Sequence, residues 1–83
     1  MNPYRISYSP PLNTDSFGDV SGAPAVVQVD ICLALVPGVD LYRDQAISEV
    51  LTNHQLTRRW DLKSVLSLNS DGTHLKMIFL LKN

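Results

Sequence analysis

Residues 26–36 alternate cleanly between apolar and mixed positions. Val27, Val29, Ile31, Leu33 and Leu35 fall on one face, and Val26, Gln28, Asp30, Cys32, Ala34 and Val36 on the other. A period of two over this length, rich in β-branched residues, predicts a strand that Pro37-Gly38 stops. Residues 59–68 repeat the pattern, with Trp60, Leu62, Leu66 and Leu68 sharing a face around Ser64, and Asp61, Lys63, Val65 and Ser67 on the reverse. Asn69-Ser70-Asp71-Gly72 reads as a hairpin turn, with Gly72 supplying positive φ. It leads into a strand over 74–82, with Leu75, Met77, Phe79 and Leu81 on one face and His74, Lys76, Ile78, Leu80 and Lys82 on the other. Tyr4, Ile6 and Tyr8 mark a shorter strand that Ser9-Pro10-Pro11 ends.

Between the strands the period changes. Leu41, Ile47, Val50, Leu51 and His54 recur at helical spacing with Ala46 beside them. Asp40 is placed to cap this helix, and Asp44 lies in its first turn, where the dipole favours an acid. Arg43, Ser48, Glu49, Thr52 and Asn53 are expected to face away, and the helix to end near His54 or Gln55. These elements predict an α+β domain of β-β-α-β-β order, with a single helix on a three- to four-stranded, antiparallel-rich sheet. The last strand is the most continuously apolar, as a strand buried on both faces reads, so it belongs in the centre. Residues 59–68 and 26–36 then flank it, the helix crosses one face, and residues 4–8 add to an edge.

That arrangement leaves a second sheet face. It holds Gln28, Asp30, Asp61, Lys63, Lys76 and Lys82, whose signs alternate and can pair across strands. It also holds Val26, Cys32, Ala34, Val36, Val65, Ile78 and Leu80. Exposed apolar groups gathered in this way mark contacts. The expected cover is either the N-terminal arm (Tyr4, Ile6, Tyr8, Leu12, Phe17) or a second copy of the chain.

Composition narrows the picture. At 83 residues the chain allows one domain, and a domain this small buries only about 60% of its unfolded surface, so a covering partner would help it. Residues 1–24 form an arm apart from the core of residues 25–83. They hold Pro3, Pro10, Pro11 and Pro24, and between Leu12 and Ala23 they show no period. That stretch is the candidate recognition loop, with Leu12 and Phe17 to pin it. Charged residues are 18% and the net charge is −1, which argues against a general nucleic-acid binder. A single cysteine excludes an intramolecular disulfide and fits a reducing compartment. No apolar run approaches the roughly 20 residues that span a bilayer. The first residues lack the apolar stretch of a signal peptide. The expected location is the cytoplasm.

Candidate chemistry is sparse. Cys32 sits mid-strand, where a small buried apolar role outweighs a nucleophile without a sequence-adjacent histidine. His54 and His74 are too few and too far apart in sequence for a zinc set. His54 suits a helix end and His74 a hairpin mouth. No nucleophile elbow, paired-acid motif or Gly-rich phosphate loop is present. Asn2 occupies the position that a catalytic N-terminal proline would need. Arg58, Arg59 and Lys63 with Trp60 form the densest basic–aromatic cluster, a pattern that can bind phosphate or stack a base. The competing reading makes Trp60 a core anchor and the arginines a solvated connection. No cofactor is implied.

Trp60-Asp61-Leu62-Lys63-Ser64-Val65 and the terminal Phe79-Leu80-Leu81-Lys82 resemble a family of small bacterial and phage β-α-β-β domains of unknown function. The family pattern is a Gly-Trp-Glu-Leu-x-Ser-Val strand, a Gly turn and a Phe-x-x-Lys strand. Arg59 stands where that pattern has glycine. The resemblance implies the β-α-β-β layout and carries no activity. The resulting expectation is a non-catalytic protein-binding module, in the manner of a phage or mobile-element inhibitor or adaptor, acting through the second sheet face and the N-terminal loop. The alternative is a small-ligand or nucleotide-binding domain with a pocket at a dimer interface.

Overall fold

The computed structural model describes residues 2–12 and 23–82. Four strands, β1 (Tyr4–Ser9), β2 (Val26–Leu33), β3 (Trp60–Ser67) and β4 (His74–Leu81), form one sheet in the order β1-β2-β4-β3. Every neighbouring pair is antiparallel. Helix α1 (Val39–Leu51) and the one-turn helix α2 (His54–Thr57) lie between β2 and β3 in sequence. This is the α+β fold the periodicity predicts, with β4 inside the sheet and the N-terminal strand on an edge.

The core lies between the sheet and the helices. Val27, Val29, Ile31, Leu33, Leu75, Met77, Phe79 and Trp60 meet Ala46 and Val50 of α1 and Leu56 of α2, all of them buried. β1 enters this core rather than covering the far side. Its register sets Tyr4 opposite Leu33, Ile6 opposite Ile31 and Tyr8 opposite Val29. Directly opposed residues share a sheet face, so these three side chains join the helix-side core. The expectation that the arm covers the second face is corrected for them. Leu12 also packs against the core; Phe17 lies outside the described residues.

Two tyrosines fasten β1 to the helices. The Tyr4 hydroxyl donates to Glu49 Oε1 at 2.8 Å, and Asn53 Nδ2 donates to the Tyr8 hydroxyl at 3.2 Å. Glu49 and Asn53, expected to face away, therefore hold the edge strand in place.

Helix α1 differs from its expected stripe. It begins two residues early, behind Gly38 at φ 81° rather than Asp40, and no side chain caps it. Asp40 lies in the first turn and pairs with Arg43 at 3.0 Å. With that start, Val39, Tyr42, Ala46 and Val50 turn toward the sheet at spacings of three and four. Leu41 is left 74% exposed and Leu51 lies on the flank. The helix stops at Leu51 because Asn53 caps a new turn, its side chain accepting from the Gln55 amide at 3.1 Å. His54 opens α2 rather than closing α1. β2 ends at Leu33, three residues before the expected end, and Leu35 is exposed instead of joining the core.

A register shift between Leu62 and Ser64 changes the reading of β3. Trp60 and Leu62 oppose Leu81 and Phe79 on the helix side, as expected. The extra residue at Lys63 then reverses the alternation. Val65 opposes Met77 on the helix side, and Leu66 opposes Lys76 on the second face. Both were expected on the reverse faces; an insertion of one residue in a two-residue period explains the error.

Candidate interaction surface

The second face can now be laid out row by row from the pairing register. Arg5, Cys32 and His74 form one row, and Ser7, Asp30, Lys76 and Leu66 the next. Ser9, Gln28, Ile78 and Ser64 follow, and Val26, Leu80 and Asp61 complete it. Both helices pack on the other side, so among the described residues no helix or strand lies over this face.

The face divides diagonally. Its end at Arg5, Asp30, His74 and Lys76, on β1, β2 and β4, is polar. Asp30 Oδ1 lies 3.9 Å from His74 Nε2, and at the far end Asp61 Oδ1 lies 3.7 Å from Lys82 Nζ. Asp61–Lys82 joins two of the charges expected to pair, whereas His74 was outside that set and is a cation only when protonated; at this exposure such pairs add little stability. An apolar band crosses the face from β2 through β4 to β3. Val26, Leu80 and Leu66 are 40%, 39% and 47% exposed, with Ile78 half-buried among them. Of the residues expected here, Val26, Gln28, Asp30, Cys32, Ile78 and Leu80 share the face. Ala34 lies beyond the end of β2, exposed, with its amide bonded to the Pro3 carbonyl at 2.8 Å. Val65 is on the opposite side through the bulge. Leu66 was missed, and an irregularity at Lys63 leaves no period-two signal that would have found it.

Chemistry does not concentrate here. Cys32 is half-buried and directly opposite His74. Leu33 N donates to Thr73 O at 2.8 Å, so the adjacent Cys32–His74 pair is one of the non-hydrogen-bonded rows, where side chains approach most closely. The topology thus brings together a thiol, an imidazole and Asp30, a grouping invisible in the linear sequence. They lie on a sheet face over which no helix or strand packs among the described residues. No group of three or more metal-ligating side chains occurs among the described residues. His54 is exposed on α2, far in sequence from that row.

The basic cluster separates as well. Trp60 is buried, and its Nε1 donates to the Pro24 carbonyl at 2.8 Å. The indole is thus a core anchor tied to the segment before β2, and offers no free face for a base. Arg58 and Lys63 are exposed, and the Arg59 carbonyl accepts from the Lys82 amide at 2.7 Å.

Two shallow depressions flank the start of β1. One of about 250 Å³ is bounded by Asn2, Pro3, Arg5, Cys32 and Ala34. The other, of about 320 Å³, lies between Pro3, Ala34, Val36, Pro37 and Tyr42. They fall below or at the bottom of the size range of small-molecule sites. No helix among the described residues is long and apolar enough to cross a membrane. No family model, no curated protein and no solved structure matches this chain.

Proposed function

We propose that this domain is a protein-binding module whose contact surface is the open sheet face. The observation that carries the reading is the apolar band Val26, Ile78, Leu80 and Leu66 with no described element over it. Large apolar side chains grouped on one flat surface lose free energy in water, at roughly 25 cal/mol per Å². A protein partner recovers that free energy by covering them, and the charged corner at Asp30, His74 and Lys76 supplies a polar rim.

A photo-crosslinking residue at Ile78 tests this in cells of the source organism, with the same residue at Leu41 on the outer side of α1 as the control. A discrete crosslinked protein is expected from position 78 and not from 41. It should be lost when Leu80→Asp is added, while circular dichroism shows the fold unchanged. Equal labelling from both positions, or a crosslink indifferent to Leu80→Asp, rules the face out as the contact.

A further inference from the structure

The two edges of the sheet are built differently, and the difference points to a second contact. At β1 the apolar side chains turn inward to the core, and Arg5, Ser7 and Ser9 face outward on the second face. Pro3 precedes the strand and Pro10-Pro11 follow it, which blunts the edge against further pairing. β3 has no proline. Its apolar residues are exposed on both faces at once, with Leu62 and Val65 on the helix side, 41% and 44% exposed, and Leu66 on the other. A partner stacked on one face would leave the other in water. Only a strand added alongside β3 places neighbours on both.

The backbone is set for such an addition. Leu68 N donates to His74 O at 2.8 Å, and Leu66 opposes Lys76. In an antiparallel ladder the bonded pairs alternate, so Leu66 and Leu68 spend their main-chain groups on β4. The N–H and C=O of Val65 and Ser67 point outward. Two outward residues flanking one exposed leucine make a self-complementary edge.

We propose that two copies of this chain pair antiparallel through residues 64–68 of β3, about a two-fold axis at Leu66. Val65 of each copy then exchanges both main-chain bonds with Ser67 of the other, and the two Leu66 side chains meet on the second face. Ser64 opposes Leu68, and the four-stranded sheet becomes eight-stranded. The charges agree with this register. Lys63 lies opposite the second copy's Asn69, two residues from Asp71 of its hairpin turn. The bulge at Lys63 stops the ladder before Leu62, so the contact runs only about 17 Å at ~3.4 Å per residue. An interface this short falls below the standard size, as weak and transient contacts do. Leu66 belongs to the band proposed above, while Val26, Ile78 and Leu80 stay outside the new ladder, so the two contacts can be tested apart at those positions.

Sedimentation equilibrium of the full chain from about 1 µM to 1 mM should show a monomer–dimer equilibrium in that range. Hydrogen exchange should show the amides of Val65 and Ser67 becoming protected as concentration rises. Leu66→Lys sets like charges across the axis and Ser67→Pro removes an outward donor; each should weaken association at least about tenfold. Leu80→Asp, on the same face but outside the paired segment, should leave it unchanged. A wild-type chain monomeric throughout overturns the pairing and leaves the face reading untouched. So does a dimer that Leu80→Asp breaks while the Val65 and Ser67 amides exchange freely. If Ser67→Pro disturbs the fold, Leu66→Lys and the wild-type exchange pattern still decide.

Discussion

β1 and β3 are both edge strands of one sheet, with opposite fates. β1 is the less apolar in sequence, yet it is fixed. Tyr4 is buried, Ile6 and Tyr8 pack on the core, and hydrogen bonds to Glu49 and from Asn53 tie the strand to the helical layer. β3 has Leu62, Val65 and Leu66 in close succession, yet only Trp60 is buried. The cause is where the helices sit. α1 packs on β1 and β2, while the single turn of α2 reaches only the start of β3. Burial in this protein is decided by helix placement more than by the hydrophobicity of a strand. One short helix cannot cover four strands: its diameter with side chains is about 10–12 Å, whereas four strands at ~4.8 Å spacing are roughly 19 Å across.

The sharpest way to break this comparison is to truncate one aliphatic residue in each half. Ile31 is fully buried between β1, β4 and α1, so Ile31→Ala should cost about 2–5 kcal/mol, read from urea unfolding. Leu66→Ala, measured at concentrations below any association, should stay within about 0.5 kcal/mol. Comparable losses would mean that β3 is part of the core after all.

A smaller effect tests the fastening of β1. Asn53 caps α2 through the Gln55 amide and reaches the Tyr8 hydroxyl, so Asn53→Ala removes two links at once. It should cost about 1 kcal/mol, the usual loss for a helix cap. The counterpart at the β3 end is Ser67, whose hydroxyl donates to the Asn69 carbonyl at 3.0 Å in an exposed setting. Ser67→Ala should cost at most a few tenths of a kcal/mol. A larger loss at Ser67 than at Asn53 would reverse the ranking of the two edges.

How much of this was legible in the sequence depends on the kind of signal. Strand existence and pairing were readable, because apolar alternation in residues 26–33 and 74–81 matches the pleat, and Asn69–Gly72 fixes the hairpin. The face assignment of Val65 and Leu66 was not, since one bulged residue at Lys63 inverts a period of two without any residue type announcing it. The middle of the helix stripe, Ala46, Ile47 and Val50, was readable, but its ends at Leu41 and Leu51 were not. Leu41 is as apolar as Tyr42, and only the start at Gly38 decides which of them turns inward. Leu56 was missed because a four-residue helix is too short to show a period, although Asn53 three positions earlier is the cap that announces it. A second face beyond the reach of the helix was foreseen, but the arm expected to cover it does not do so with Tyr4, Ile6 and Tyr8, because a strand added to an edge inherits the register of its neighbour.

The subtlest test of the β1 fastening is its proton. The Tyr4 hydroxyl is held above the ordinary 10.0 chiefly by its hydrogen bond to Glu49, then by burial and by the carboxylate's charge, with Gln45 opposing. The folded state therefore holds this proton more tightly than the unfolded chain. Its stabilising effect is complete below about pH 10 and is lost as pH rises through the folded-state value. Tyr4→Phe lacks the hydroxyl and cannot show this loss. The stability difference between wild type and Tyr4→Phe, followed by denaturant unfolding from neutral pH to strongly alkaline pH, should shrink only above about pH 10. The two chains differ only in that hydroxyl, so the difference isolates Tyr4. A constant difference across that range would show that Tyr4 fastens β1 by packing alone, and that the bond to Glu49 does not hold the edge.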